Sequence, residues 1–169
     1  MTYDTTAAGL TAEASAEPPA DLTPQGRMAW LLDRFVAHTP GVTHALLASR
    51  DGIKLLYSEM TRDPADAMAA AVSGLSSLAA NLTGPTGAKL APRQIIIERD
   101  DCLFFVTSAG TTGAFTNHPG NTRGVVDTVL GVIARPDADV GNIGFEMDRL
   151  VQRFAPHMVT AVRQDDGSR

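Results

Sequence analysis

The tetrapeptide Arg50-Asp51-Gly52-Ile53 sits between two apolar runs, VTHALLAS and IKLLYSE. Asp-Gly between two β-prone runs reads as a tight hairpin turn, because glycine enters the left-handed region without a Cβ clash. The chain therefore has to fold back on itself as an antiparallel pair, and the rest of the sequence has to cover that pair. Just upstream, Pro40-Gly41 ends a helix in which Met28, Leu31, Leu32, Phe35 and Val36 recur at three- and four-residue spacing. Thr23 is placed to cap that helix, with Pro24 at its first position.

Downstream, Asp63-Pro64 opens a second helix that ends near Gly84-Pro85. Met68, Val72, Leu75, Ala79 and Leu82 form its apolar stripe, and Ala67, Ala70, Ala71, Gly74 and Ser77 form a second stripe of small residues. RQIIIE is a third strand, Asp100-Asp101 a turn, and CLFFVTSA a fourth strand. Residues 110–125 read as a long polar loop. DTVLGVIA is a fifth strand, and RPDADVG leads into a last helix with Ile143, Met147, Leu150, Val151 and Phe154 inward. The expected fold is α/β of the α+β type, with the element order α-β-β-α-β-β-β-α. Short turns make the sheet largely antiparallel. Several strands stay apolar over consecutive positions, so both sheet faces are expected to be covered.

The chain has 169 residues, enough for one hydrophobic core plus tails. Residues 1–23 are rich in Ala, Thr, Glu and Pro and read as a disordered arm. Residues 24–159 form the domain, and 160–169 are a polar tail. A net charge of −5 argues against nucleic acid as a partner, since a phosphate backbone calls for a basic stripe. Cys102 is the only cysteine, so no intramolecular disulfide is possible; it reads as a small buried hydrophobe in a reducing cytoplasm. No signal peptide and no membrane insertion are expected.

Residues able to do chemistry fall into no working pattern. His38, His44, His118 and His157 lack the spacing of a metal pair, and His118 reads as solvated. GPTGAKL follows a helix and has Ala-Lys-Leu where a phosphate loop requires Gly-Lys-Ser or Gly-Lys-Thr. Asp100, Asp101, Asp137 and Asp139 lie among turn formers and read as turn and cap residues. Ser49, Ser73 and Ser108 sit in no nucleophile elbow. No catalytic residue, cofactor or metal is expected, so the chain is expected not to be an enzyme.

Four stretches together resemble one known family. LDRFVAHTPGVTHALLASRDGIKLLYSE has its leading helix, Pro-Gly-Val, strand, Asp-Gly and second strand. AAAVSGLSSLAANL is similar to its small-residue second helix, IIIERDDCLFFVTSAG to its third and fourth strands, and IARPDADVGNIGFEMDRLVQRF to its last strand and helix. The family is roadblock, or dynein light-chain roadblock, and the likeness spans about residues 25–158. It implies a five-stranded antiparallel sheet with two helices on one face and one on the other. It also implies a homodimer or heterodimer in which the middle helices pair and the third strands meet, and a homodimer is the expectation here. The residues that would form that interface are Ala67, Ala70, Ala71, Gly74, Ser77, Ile95 and Ile97.

In bacteria this family is associated with small Ras-like GTPases, as activators or as platforms. The resemblance is to the actinobacterial type, found in gene sets with a sensor-kinase-like protein. It implies a cytoplasmic regulator whose partners can bring it to a membrane. Exposed residues near the second helix's start, Glu59, Arg62, Asp63 and Asp66, are candidates for the GTPase contact. Arg50, Arg62, Arg93, Arg99 and Arg123 are candidates for an arginine finger by expected exposure alone, and nothing singles one out. The 110–125 loop departs from the family's short turn. The alternatives are a scaffold that leaves GTP hydrolysis unchanged and a small-molecule sensor, for which the sequence offers no convincing pocket lining.

Overall fold

The computed structural model describes residues 16–119, 121 and 124–158. Three helices and five strands follow in the expected order: α1 (Pro24–His38), β1 (Val42–Ser49), β2 (Lys54–Tyr57), α2 (Arg62–Ala80), β3 (Ile95–Glu98), β4 (Leu103–Thr112), β5 (Val126–Ala134) and α3 (Val140–Met158). The sheet runs β2-β1-β5-β4-β3, antiparallel throughout. The four-residue strands β2 and β3 form its two edges.

Local chemistry sets the breaks. Thr23 Oγ1 accepts from Gly26 N–H at 3.1 Å, the expected cap of α1. The β1–β2 turn closes with Ser49 N–H to Ile53 O at 2.8 Å and Gly52 N–H to Ser49 O at 3.0 Å. Gly52 has φ +91°, so the three-residue loop ends on the left-handed residue that this turn needs. Asp139 caps α3, its carboxylate accepting from Asn142 N–H at 2.9 Å. Asp101 is bound by the Arg99 guanidinium at 2.9 and 3.1 Å in the β3–β4 turn. Both aspartates thus take the turn and cap roles expected of them.

The sheet separates two cores, and strand parity assigns residues to each. On one face α1 and α3 pack together over Ala45, Leu47, Leu103, Phe105, Leu130 and Val132. Met28, Leu31, Leu32, Ile143, Met147 and Phe154 are the helical half of that core. Fully burying each such side chain stabilises by about 1.5–3 kcal/mol. On the other face α2 alone covers Leu46, Ala48, Val106 and Val129 with Ala65, Met68, Ala69 and Val72. Two helices on one face and one on the other is the expected arrangement.

Four expectations need correction. The loop expected over 110–125 begins later, because pairing continues through Gly110↔Thr128, Thr111↔Asp127 and Thr112↔Val126. The connection from residue 113 is also packed: Gly113 N–H donates to Met158 O at 2.9 Å, and Gln25 donates to Ala114 O. His118, expected in solvent, is buried, its side chain 4% exposed and Nε2 3.8 Å from Asp51 Oδ1. Turns at Phe115–His118 and His118–Asn121 fold that histidine back onto the β1–β2 hairpin. Cys102 is half-buried at the start of β4 rather than fully enclosed; burial and then the neighbouring Asp101 charge raise its thiol pKa.

The fourth correction concerns the arm. Residues 1–15, Arg123 and the tail 160–169 lie outside the described residues, but 16–23 lie against α1 and α3. Arg153 donates to Ala16 O, and Arg27 donates to Ala20 O and, at 3.0 Å, to Leu22 O. Composition alone gave no sign of this, because the contacts are made to backbone carbonyls.

Two outcomes are expected. A Cβ on Gly131 of β5 would come within 2.4 Å of Val72 Cγ1 and 3.1 Å of Met68 Cε, so α2 sits on the sheet only because that position is bare. Gly131→Ala should destabilise the fold by about 1–3 kcal/mol through overpacking. Urea unfolding measures it, and an unchanged midpoint would contradict the close contact. His157, at the end of α3, has its pKa lowered below the ordinary 6.5 by burial and next by the Arg27 charge, with Glu17 opposing. The unfolded chain then holds that proton more tightly. The histidine's contribution is full above about pH 6.5 and is lost as pH falls through the lower folded value. The melting midpoint should therefore drop from about pH 7.5 to about pH 5.5, and drop less in His157→Gln. An equal drop in both proteins would rule His157 out.

Candidate interaction surface

The helix that covers its face alone has two unlike sides. Ala65, Met68, Ala69, Val72 and Ser73 are buried on the sheet. Ala67, Ala70, Ala71 and Gly74 are exposed and Ser77 half-buried, so the structure brings all five small residues onto one outward stripe. Nothing lies within 4 Å of where a Cβ would stand on Gly74.

Leu78 continues that stripe, one turn beyond Gly74, and is 70% exposed. Leu82, expected inward, is 71% exposed because the helix ends at Ala80 and Asn81 caps it. Leu90, in the connection to β3, is 72% exposed. Sequence reading missed Leu78 and Leu90, although the heptad-like spacing from Ala67 through Ala71 and Gly74 leads directly to Leu78. Single exposed leucines are ordinary, but Leu78 in line with the small-residue stripe extends it as an apolar strip.

The β3 edge lies beside this helix. Ile95 packs into the α2-side core with Val106 and Phe104, and Ile97 is half-buried on the same strand face. Ile96 points to the opposite face and is 44% exposed. What β3 offers on its free side is backbone N–H and C=O, the chemistry by which another strand adds to a sheet.

The four charged candidates cluster at the other end of α2. Glu59, Arg62, Asp63 and Asp66 are all exposed. Asp63 lies in the first turn, where the helix dipole favours a carboxylate. Lys54 of β2, missed from sequence, ties the group together: its ammonium binds the Asp66 carboxylate and donates to Arg62 O at 3.4 Å. Its charge also lies 5.8 Å from the Tyr57 ring. Glu59 faces Asp33 of α1; burial and then the Glu59 charge raise the Asp33 pKa. This corner carries mixed charge and a half-exposed tyrosine; its buried hydroxyl, Ser58, is taken up by accepting from Ala45 N–H at 2.9 Å.

Among the described residues, no three His, Cys, Asp or Glu side chains are grouped to hold a metal ion. Nor, among those residues, is any helix long and apolar enough to cross a membrane. A cleft of about 560 Å³ opens between the start of β3 and the start of α3, lined by Arg93, Gln94, Thr107, Phe145 and Asp148 among others. Its apolar wall includes Phe145, itself 61% exposed, so it encloses little.

Comparison with known proteins agrees with this architecture. The Roadblock/LC7 domain family matches residues 28–116. A Roadblock/LC7 domain from Streptomyces avermitilis is 34% identical, with 78% of this chain and 98% of that chain covered and a TM-score of 0.64. MglB in a tetrameric arrangement is 19% identical, over 85% of this chain and 97% of that one, with a TM-score of 0.63. The gliding protein mglB from Thermus thermophilus is likewise 19% identical, over 85% and 98%, with a TM-score of 0.62. Among curated proteins none matches. Sheet order, helix placement, the match over residues 28–116 and the Streptomyces avermitilis relative all agree: this chain belongs to the Roadblock/LC7 domain family.

Proposed function

We propose that this chain is a self-associating, non-enzymatic regulator that binds a small Ras-like GTPase in the cytoplasm and sets its nucleotide cycle or its location. One observation carries the reading: the outward stripe of α2 leaves small residues and Leu78 in water beside an unpaired strand edge. Such a face suits close helix pairing, with β3 extending the sheet across a two-fold axis. Ala67, Ala70, Ala71, Gly74 and Ser77 would line the paired helices, and Ile95 and Ile97 would flank the joined strands. The association of bacterial family members with Ras-like GTPases supports the choice of partner, and the tetrameric arrangement of MglB supports self-association. The corner of Lys54, Glu59, Arg62, Asp63 and Asp66 is the proposed GTPase contact. Glu59, Arg62, Asp63 and Asp66 are exposed, so their charges would act on encounter rate and register more than on raw affinity.

Gly74→Leu tests self-association cleanly. The position is open in a single chain, and replacing glycine within a helix favours the fold by roughly 0.5–1 kcal/mol. The variant should melt no lower than the unaltered chain yet lose the self-associated mass, since a leucine would hold two helices apart. Retention of that mass would place the interface elsewhere.

Partner binding is tested by co-purifying the chain with its cognate GTPase loaded with GDP or with a non-hydrolysable GTP analogue. A complex is expected in one nucleotide state, with altered hydrolysis or exchange. Asp63→Lys combined with Asp66→Lys should weaken it about tenfold, close to 1.4 kcal/mol. Retained binding with unchanged turnover would favour a scaffold, its further partner to be sought in a sensor-kinase-like protein. No complex in either state would refute the GTPase reading.

A further inference from the structure

The face opposite α2 has its own unused chemistry. In the groove where α1 packs on α3, Arg34 and Arg149 lie within electrostatic reach of Arg153, and Arg27 and Arg153 within reach of His157. Among the described residues two carboxylates stand nearby: Glu146, bound to Arg149 at 2.9 and 3.2 Å, and Glu17 of the segment lying over the groove. The Arg34 guanidinium stacks 4.8 Å from the Trp30 ring centre and Arg149 lies 5.8 Å from that of Phe145, so aromatic contacts help to hold both. Arg153 is half-buried, and a cation held there gains from a nearby negative charge.

The segment over this groove is complementary to it in two ways. Its Ala16 carbonyl accepts from Arg153 of the last helix, while Ala20 and Leu22 accept from Arg27 around a turn that Leu22 N–H closes on Pro19 O at 3.3 Å. Its charge is also of the opposite sign. The sequence before Arg27 contains Asp4, Glu13, Glu17 and Asp21 and no lysine or arginine. Pro18 and Pro19 each fix φ, which reduces the entropy lost on docking, and Pro19 opens the turn that ends at Leu22.

We propose that the α1–α3 groove is a binding site for an acidic peptide, and that this chain covers it with its own residues 16–22. The arm is then a displaceable cover, and an acidic segment of another protein competes with it for Arg27 and Arg153. The inference is independent of the GTPase reading, which concerns the opposite layer of the fold.

The test uses the full chain and a fluorescein-labelled peptide, EASAEPPADLT, copied from residues 13–23. In the unaltered protein the arm competes, and binding by anisotropy should be weak. Glu17→Lys should loosen the arm and tighten peptide binding at least fivefold at low salt. Adding Arg153→Ala should reverse that gain, and raising the salt should weaken binding throughout. A neutral peptide, QASAQPPANLT, should bind the same Glu17→Lys protein at least tenfold more weakly, a control that needs no further folded variant. Amide exchange of residues 20–22 should be slowed in the unaltered chain and accelerated in Glu17→Lys. Equal binding of acidic and neutral peptides, or none to any variant, would overturn the site. Peptide binding that Glu17→Lys leaves unchanged, with exchange at free-peptide rates, would overturn its occupation by the arm.

Discussion

A single helix has to close one whole face of the sheet, and it does so by lying almost in contact with the strand backbone. Gly131 admits Val72 and Met68 of α2 at a distance that no side chain on β5 would allow. Ala65 and Ala69 keep the rest of the contact thin. A helix seated that low buries its inner side with few large residues. Its outer side, made of Ala67, Ala70, Ala71, Gly74 and Leu78, is then left as a flat, small-residue surface beside the β3 edge. The same economy that seals the core creates the surface that another subunit would cover.

The two sheet faces differ in chemistry as well as in number of helices. Beneath α1 and α3 the core is built from large side chains, and their outer groove is lined with arginines. The α2 layer is apolar and small on its outside, with charge confined to the corner where β2 leads into the helix. Such a molecule can pair through one layer while keeping the other available for a different ligand. The connection after β4 links the layers. It starts against the end of α3 and the start of α1 and brings His118 to the β1–β2 hairpin.

How much of this could be read from sequence depended on contrast between neighbouring residues. Arg50-Asp51-Gly52-Ile53 fixed the hairpin because the turn demands a left-handed residue. α1 and α3 were legible because large apolar residues alternate with charged ones at helical spacing. α2 was legible as a helix, but its inner side was only partly so: alanine occupies both faces, so Ala65 and Ala69 carried no more signal than Ala67 and Ala71. Ile95-Ile96-Ile97 likewise concealed its parity, since three identical residues do not alternate. Lys54, His118 and residues 16–22 were not legible. Their placements depend on contacts across the chain, to Asp66, to Asp51 and, for Ala16, to the distant Arg153.

Sedimentation equilibrium of the full, unaltered chain from low to high micromolar concentration asks whether the outer side of α2 is covered in solution. A stable interface requires roughly 800 Å² from each subunit, which the α2 stripe and the β3 edge together would have to supply. The expected result is twice the mass of one chain, or an even multiple of it. A single-chain mass across the whole range would mean that Leu78 and the small-residue stripe stand in water, and the self-associated regulator proposed here would be wrong.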